Sequence, residues 1–215
     1  MKNAHFQWNI LKQNDLNFQS PALAGIDEAG RGPIAGPVVA AAVSLDYRVD
    51  LPGLDDSKRL TVRQRERLFQ FIICSANDWA IVAVSCREID RINILQATFN
   101  AMRLACHALN EKPFLVLIDG NHTIPELKYK QQSIIKGDTS SAAIAAASVL
   151  AKVSRDRIME RYHHIYPGYG FAQHKGYPTR SHLESLISLG ACPIHRQTFS
   201  PLNSMAQKQL ALFEL

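Results

Sequence analysis

Asp27 and Glu28 are adjacent acids inside Gly25-Ile26-Asp27-Glu28-Ala29-Gly30-Arg31-Gly32-Pro33, a stretch that also holds an arginine and three glycines. Leu23-Ala24 precedes it and an apolar run from Pro37 to Leu45 follows. This is the layout of a strand, a tight loop and a second strand. Two carboxylates at the end of a buried strand are costly unless a cation sits between them. The glycines would let the backbone itself approach a ligand. Two more acids hold comparable places: Asp119 closes an apolar run before Gly120, and Asp138 follows Gly137 just ahead of a helix. Strand ends at one edge of a sheet converge, so acids far apart in sequence can build one site. An all-oxygen set suits Mg²⁺ or Mn²⁺. Two such ions about 3.5–4 Å apart permit in-line phosphoryl displacement. These residue types therefore point to a metal-dependent site that handles phosphate.

Plainer roles compete. Asp138 could be the N-cap of the following helix, and Asp119-Gly120 could be a simple turn. Asp27 and Glu28 would point to opposite faces of a straight strand. They could share a site only if the backbone bends at Glu28, which Ala29-Gly30 would permit. Arg31, Lys58, Lys152, Arg155, Lys175 and Arg180 could contact phosphates, although each alone reads as solvated charge. His163, His164, His174, His182 and His195 crowd the C-terminal third without metal-ligand spacing.

The elements that must position these groups follow the chain. Residues 1 to 20 read as a frayed or surface-docked lead. Strands are expected at Leu23–Asp27, Val38–Leu45, Trp79–Ser85, Phe114–Asp119 and, briefly, Ser133–Ile135, the first two as an antiparallel pair. Thr61-Val62-Arg63-Gln64 fits a capping box and starts a helix to about Ser75. Asn93, with Gln96 three residues on, starts another that turns Leu95, Phe99, Met102, Leu104 and Cys106 toward a core. A long helix from Ser140 to His164 opens with small residues that let it lie close to a sheet. Pro167 to Pro178 is a turn region, Ser181–Leu189 a short helix stopped by Gly190, and Pro201 to Leu215 a helical tail.

The 215 residues carry a net charge of +5, with 47% hydrophobic and 20% charged residues, ordinary for one large globular domain. The mild basic excess suits a polyanion. No stretch reads as a signal peptide or membrane span, so a cytoplasmic protein is expected. The four cysteines are widely spaced and read as reduced packing residues.

The signature at Gly25–Pro33 resembles that of bacterial ribonuclease HII. Asp55-Asp56-Ser57-Lys58, Asn93–Thr98, Asp119-Gly120, Lys136-Gly137-Asp138, Ile144–Ser148, Ala151–Asp156, His174–Tyr177 and His195-Arg196 resemble its other blocks, in the family's order. The match runs from about Ala22 to Phe199. The resemblance implies an α/β fold, a ribonuclease H-like mixed central sheet flanked by helices with a C-terminal helical extension. It divides the chain into a lead (1–21), a catalytic core (22–166) and a C-terminal helical segment of the same domain (167–215). It implies an endonuclease that hydrolyses the RNA strand of RNA–DNA hybrids, including single ribonucleotides in duplex DNA, with Mn²⁺ or Mg²⁺, leaving 5′-phosphates. Asp27, Glu28, Asp119 and Asp138 would bind the metal. Gly30, Arg31 and Gly32 would read the ribose, whose 2′-hydroxyl distinguishes RNA from DNA. Tyr177, otherwise an ordinary buried tyrosine, would pack on the sugar at the RNA–DNA junction, and Lys58 and Lys175 would hold phosphates. Thr139 stands where the family often has alanine. Gln209-Leu210-Ala211-Leu212-Phe213 resembles a sliding-clamp peptide, the alternative being a helix end packed on the body. A monomer is expected. The rivals are another metal-dependent nuclease and a non-catalytic nucleic-acid-binding module on the same fold; neither accounts for the Gly-Arg-Gly loop.

Overall fold

The structure is a computed structural model that describes residues 2–204, with side chains from His5 onward. The tail segment Gln209–Phe213 lies outside the described residues. Five strands form one sheet: β1 (Leu23–Ala29), β2 (Val38–Ser44), β3 (Asp78–Val84), β4 (Leu115–Asp119) and β5 (Lys130–Ile134). Their order is β3-β2-β1-β4-β5. β1 runs antiparallel to β2, and β2 to β3, whereas β1–β4 and β4–β5 are parallel. The helices among the described residues are α1 (Lys2–Leu16), α2 (Val62–Ser75), α3 (Cys86–Ile92), α4 (Ile94–Ala108), α5 (Ala142–Ile165), α6 (Phe171–His174) and α7 (Arg180–Leu189).

The sheet separates two cores. On one side lie α1, α2 and α5, with Trp8, Leu11, Leu68, Ile72 and the small residues of α5. On the other lie α3 and α4, with Ile89, Ala97, Ala101, Met102 and Cys106 against Ile26 and Ile118. α5 lies close to β1 because both surfaces lack bulk. Ala142 to Ala147 are all buried, and a Cβ on Gly25 would fall 2.2 Å from the Ala143 carbonyl carbon.

Local rules account for most boundaries. Thr61 and Gln64 form the reciprocal cap that starts α2. The Asn93 side chain accepts from the amides of Leu95 and Gln96 at the start of α4. α4 differs from expectation in its inward face: the buried stripe is Ala97, Thr98, Ala101, Met102, Ala105 and Cys106, while Leu95 and Leu104 are exposed. Close approach to β2 and β3 favours alanine there, so hydrophobicity alone misplaces the stripe. Two short helices were not expected: α3 fills the stretch between the third strand and Asn93, and α6 lies within the turn region Pro167 to Pro178.

The first residues do more than lead in. α1 is a helix that buries Trp8, Leu11 and Asp15. The Asp15 carboxylate accepts from the Ala143 amide at 2.8 Å and from the Tyr47 hydroxyl at 2.8 Å. Asn14 donates to the Ser140 carbonyl at 2.8 Å. The end of α1 thus supplements Ser141, whose side chain caps α5 through the Ile144 amide. Asp15→Ala would strand a buried amide and a hydroxyl, costing about 1–3 kcal/mol. The melting temperature should fall by about 2–4 °C per kcal/mol in a domain of this size, as read by calorimetry.

Candidate active site

The sheet register brings the acids together. β1 and β4 are parallel and pair Ile26 with Ile118, so the next residue on each strand, Asp27 and Asp119, ends up side by side. β5 then carries the chain from Ile134 to a left-handed Lys136 (φ 56°) and a 3₁₀ turn at Gly137–Thr139 that holds Asp138. Asp119 fixes that turn by accepting the Gly137 amide at 2.7 Å. Asp138 is not the cap of α5; Ser141 is, which leaves the Asp138 carboxylate free for another task.

Glu28 joins by a different route from the expected bend. β1 keeps its pairing with β2 through Glu28 and Ala29 without a break. Alternation puts Asp27 on the α5 side and Glu28 on the side of Ile26. The longer glutamate, at the strand's end, still senses Asp119 and meets the Arg31 guanidinium at 3.3 Å.

Asp27, Glu28, Gly30, Arg31, Gly32, Lys58 and Tyr177 line one cavity of about 330 Å³. Asp119 and Asp138 are not among its lining residues: Asp119 acts on Asp27 through its charge, and Asp138 meets Lys58 at the cavity wall, while among the described residues no three acids, histidines or cysteines stand close enough together to form a ready-made metal cluster. Lys58 spans the group, its Nζ 3.7 Å from Asp138. Burial pulls the Lys58 ammonium down, but Asp56, Asp138, Asp27 and Asp119 outweigh that and raise its pKa. Burial, then Glu28 and Asp119, push the Asp27 carboxyl well above the ordinary range. Burial also raises Glu28, against the pull of Arg31. Asp138 rises through burial, then through Asp119 and Asp56. These carboxylates are short of positive charge, and hard divalent cations would supply it.

Two buried arginines shape the loop between β1 and β2. Arg155 Nε donates to the Pro37 carbonyl at 3.0 Å, Nη2 to Ala35 at 3.1 Å and Nη1 to Lys175 at 3.0 Å. Arg196 donates to the carbonyls of Gly30 (2.6 Å), Arg31 (2.9 Å) and Gly36 (3.0 Å). Burial presses Arg155 to about 10 and Arg196 to about 9, so both stay charged at neutral pH. The loop's carbonyls are thereby drawn inward. Among the described residues the amides of Arg31 and Gly32 donate to no protein acceptor.

The two loop glycines differ. Gly30 sits at φ +100° and a Cβ there would strike Arg155 Nε at 2.0 Å, so the protein itself requires glycine. At Gly32 a Cβ would only touch the Tyr177 ring at 3.6 Å. Neither a left-handed backbone nor a close contact requires glycine at position 32, which lines the cavity.

Of the remaining cations, Lys152 and Arg155 line the same cavity but have their charged groups engaged by the protein, while Lys175 and Arg180 are not among its lining residues. Lys175 turns its ammonium to Glu160 at 2.8 Å, and only its carbonyl, held by Arg155, faces the loop. Arg155 is a buried brace and not a phosphate contact. Lys152 pairs with Asp156 at 2.7 Å and Arg180 with Glu184 at 2.8 Å.

The family model described as Ribonuclease HII matches residues 24–201. The chain belongs to the ribonuclease HII family. A ribonuclease HII from Syntrophomonas wolfei is 51% identical over 197 residues, covering 89% of this chain and 77% of the relative. One from Methylibium petroleiphilum is 53% identical, covering 87% and 94%. Among solved structures, ribonuclease H2 from Pyrococcus horikoshii superposes with a TM-score of 0.73 at 30% identity over 87% of this chain and 98% of that one. Ribonuclease HII from Archaeoglobus fulgidus, solved as a complex with PCNA, gives 0.69 at 27% identity over 83% and 95%. A Mn²⁺ complex of Bst-RNase HIII gives 0.62 at 18% identity over 90% and 70%, a likeness of fold. The fold is ribonuclease H-like, and the chain is an endoribonuclease of that type.

Three contributors in this family member escaped the sequence reading. Ser148 lies beside Asp27, where its hydroxyl offsets part of the burial that raises the carboxyl, and its Oγ is 2.8 Å from that of Ser57. Asp56 stands within hydrogen-bonding reach of Asp138. Arg196 braces the loop. All three fall in the matched blocks, and for Ser148 a lone serine in the small-residue run of α5 was the available signal. Nothing in the sequence marks Arg196 as buried.

The raised carboxyl values give a stability test. A group raised in the folded state stabilises the fold below its unfolded pKa and loses that contribution as pH climbs through the folded one. Asp27→Asn should therefore raise the melting temperature in EDTA at neutral pH. The gain should vanish on acidification, as the native Asp27 becomes protonated. A neutral-pH loss in thermal unfolding would contradict the crowding.

Proposed function

We propose that the chain hydrolyses the RNA strand of RNA–DNA hybrids, including single ribonucleotides embedded in duplex DNA, leaving 5′-phosphates and serving ribonucleotide removal in the cytoplasm. The observation that supports this reading is the cavity that Asp27 and Glu28 share with the bare-backbone loop at Gly30–Gly32, with Asp119 acting on Asp27 and on Asp138 through its charge. One group can hold divalent ions, and the other can feel a 2′-hydroxyl.

Asp27, Glu28, Asp119 and Asp138 would hold Mn²⁺ or Mg²⁺, to which their crowded, cation-poor oxygens are suited. Bound there, such ions supply an activated water and support for the leaving oxygen. The chain's own residues do the rest. Arg196 and Arg155 fix the loop so that the Arg31 and Gly32 amides face the cavity as donors to the ribose oxygen. Gly32 leaves room for the sugar beside the Tyr177 ring, whose flat face accepts a deoxyribose. Arg31 neutralises part of Glu28, and both it and Lys58 offer charge to the backbone phosphates, so binding weakens with salt. Ser148 orients the Asp27 carboxylate.

The deciding assay is cleavage of a DNA duplex containing one ribonucleotide against an all-DNA control, with Mn²⁺ or Mg²⁺. Cleavage at the ribonucleotide alone is expected, and equal cutting of both duplexes would refute the reading. Gly32→Ala should lower turnover and ribonucleotide selectivity together while the melting temperature stays within about 1 °C, because the added methyl meets only an ordinary contact.

We also infer that Gln209–Phe213 docks on a sliding clamp. The PCNA complex of the Archaeoglobus fulgidus relative supports this. Removal of Gln209–Leu215 should abolish clamp binding in surface plasmon resonance without changing cleavage of a short duplex; unchanged affinity would end the idea.

A further inference from the structure

Three buried histidines stand behind Tyr177. His174 and His182 stack with ring centroids 4.2 Å apart, and His182 and His195 meet edge to edge through their Nε2 atoms at 3.1 Å. His182 is fully buried at the first turn of α7. None of the three lines the carboxylate cavity.

Their partners leave one proton arrangement. His182 Nδ1 lies 2.8 Å from the Tyr177 carbonyl. A carbonyl only accepts, so Nδ1 carries the hydrogen and Nε2 is bare. His195 Nε2 must then donate to it, which leaves His195 Nδ1 as an acceptor for the Cys192 amide at 3.0 Å. The Cys192 thiol, 3.1 Å from the same nitrogen, can donate as well. The Cys192 carbonyl at 3.2 Å is then a contact without a proton. His174 accepts the Gly176 amide on Nδ1 at 3.1 Å and donates from Nε2 to the Tyr169 carbonyl at 2.6 Å. A second proton on His182 would set N–H against N–H. Burial, the largest influence, holds all three rings below the ordinary histidine range, His182 at about 4.

The chain of bonds therefore runs in one direction, from Cys192 through His195 and His182 to the Tyr177 carbonyl. That carbonyl also accepts the Thr179 amide at 2.8 Å, and the Tyr177 amide donates to His174 at 2.9 Å. The Tyr177 side chain itself is half exposed, at 46%. Its ring stands opposite Gly32, where an added Cβ would meet it at 3.6 Å, and its backbone is held by the hydrogen bonds just described.

We propose that His182 is a positioning residue for cleavage: its Nδ1–H, backed by His195, fixes the Tyr177 turn so that the ring lies across the cavity from Gly32. This rests on Tyr177 being a sugar contact, and the tests separate the two ideas. In the full chain, long-range ¹H–¹⁵N spectra should show His182 as the Nδ1–H tautomer and His195 as the Nε2–H tautomer. An Nε2–H tautomer at His182 overturns the proposal whatever the enzyme cleaves.

Kinetics on the single-ribonucleotide duplex supply the second reading. His182→Phe keeps the bulk but loses the donor. It should raise KM on the order of tenfold with a smaller change in kcat, the scale on which small misplacements act. His182→Asn puts an amide N–H where Nδ1 was and should restore KM to within about threefold. In a Tyr177→Ala background His182→Phe should cost nothing further; additive losses would overturn the proposal. Wild-type KM in His182→Phe would do the same. If Tyr177→Ala alone leaves cleavage unchanged, the sugar-contact reading fails, and with it the proposed role of His182, while the tautomer result stands by itself.

Discussion

Everything at this site follows from carboxylates forced together by a sheet register. Once β1 and β4 pair Ile26 with Ile118, Asp27 and Asp119 cannot avoid each other. Their repulsion is only partly offset: among the described residues Lys58 pairs directly with Asp138, at 3.7 Å, and acts on Asp27 and Asp119 from further off, while Arg31 pairs with Glu28. The fold tolerates this because the hydrophobic cores on both faces of the sheet hold the strand ends rigidly. The fold thus carries a site whose negative charge is left unbalanced, a stability cost of a kind common at binding sites.

The loop beside the acids shows the opposite solution to the opposite problem. A turn carrying three exposed carbonyls toward a carboxylate pocket would add to the repulsion. Arg155 and Arg196 draw those carbonyls the other way, and two buried guanidinium groups are compensated by backbone dipoles rather than by carboxylates. This is an unusual use of buried arginine, since such charges ordinarily need an ionic partner. Here each guanidinium makes three or more hydrogen bonds to carbonyl oxygens. Either arginine reduced to lysine would lose the planar fork that reaches several carbonyls at once.

What the sequence made legible and what it did not divide along the reach of each interaction. Asp27, Glu28, Asp119 and Asp138 were legible as candidate metal ligands because each lies at or near a strand or helix end with a glycine nearby, a short-range pattern. The caps at Thr61 and Asn93 were readable for the same reason. Arg155 was misread as a phosphate contact, because its charge is visible in sequence and its burial against Pro37 and Ala35, more than 100 residues away along the chain, is not. The outward turn of Leu95 and Leu104 was hidden because α4 approaches the sheet on alanines, so size rather than hydropathy selects the inner face. The family resemblance fixed the order of the blocks, but it did not reveal that Lys175 turns toward Glu160.

The route by which Glu28 reaches the site bears on how such sites tolerate change. A kink at Glu28 would have tied the carboxylate to a special backbone conformation, with the strain such conformations carry. Instead β1 stays regular through Ala29, and the work is done by side-chain length at the strand's end. Asp at position 28 would therefore be a poor substitute although it keeps the charge, since one methylene less leaves the carboxylate on the wrong face of the sheet. At position 27 the reverse holds. Asp27 already points to the α5 side, where Ser148 lines the same cavity, and is pinned by its own neighbour's amide at 2.7 Å. A glutamate there would have to displace the helix that Gly25 allows to sit so close. The alternation of an ordinary strand thus dictates a short acid followed by a long one, and the adjacency that looked geometrically awkward in the sequence is what lets one strand serve both sides of a single pocket.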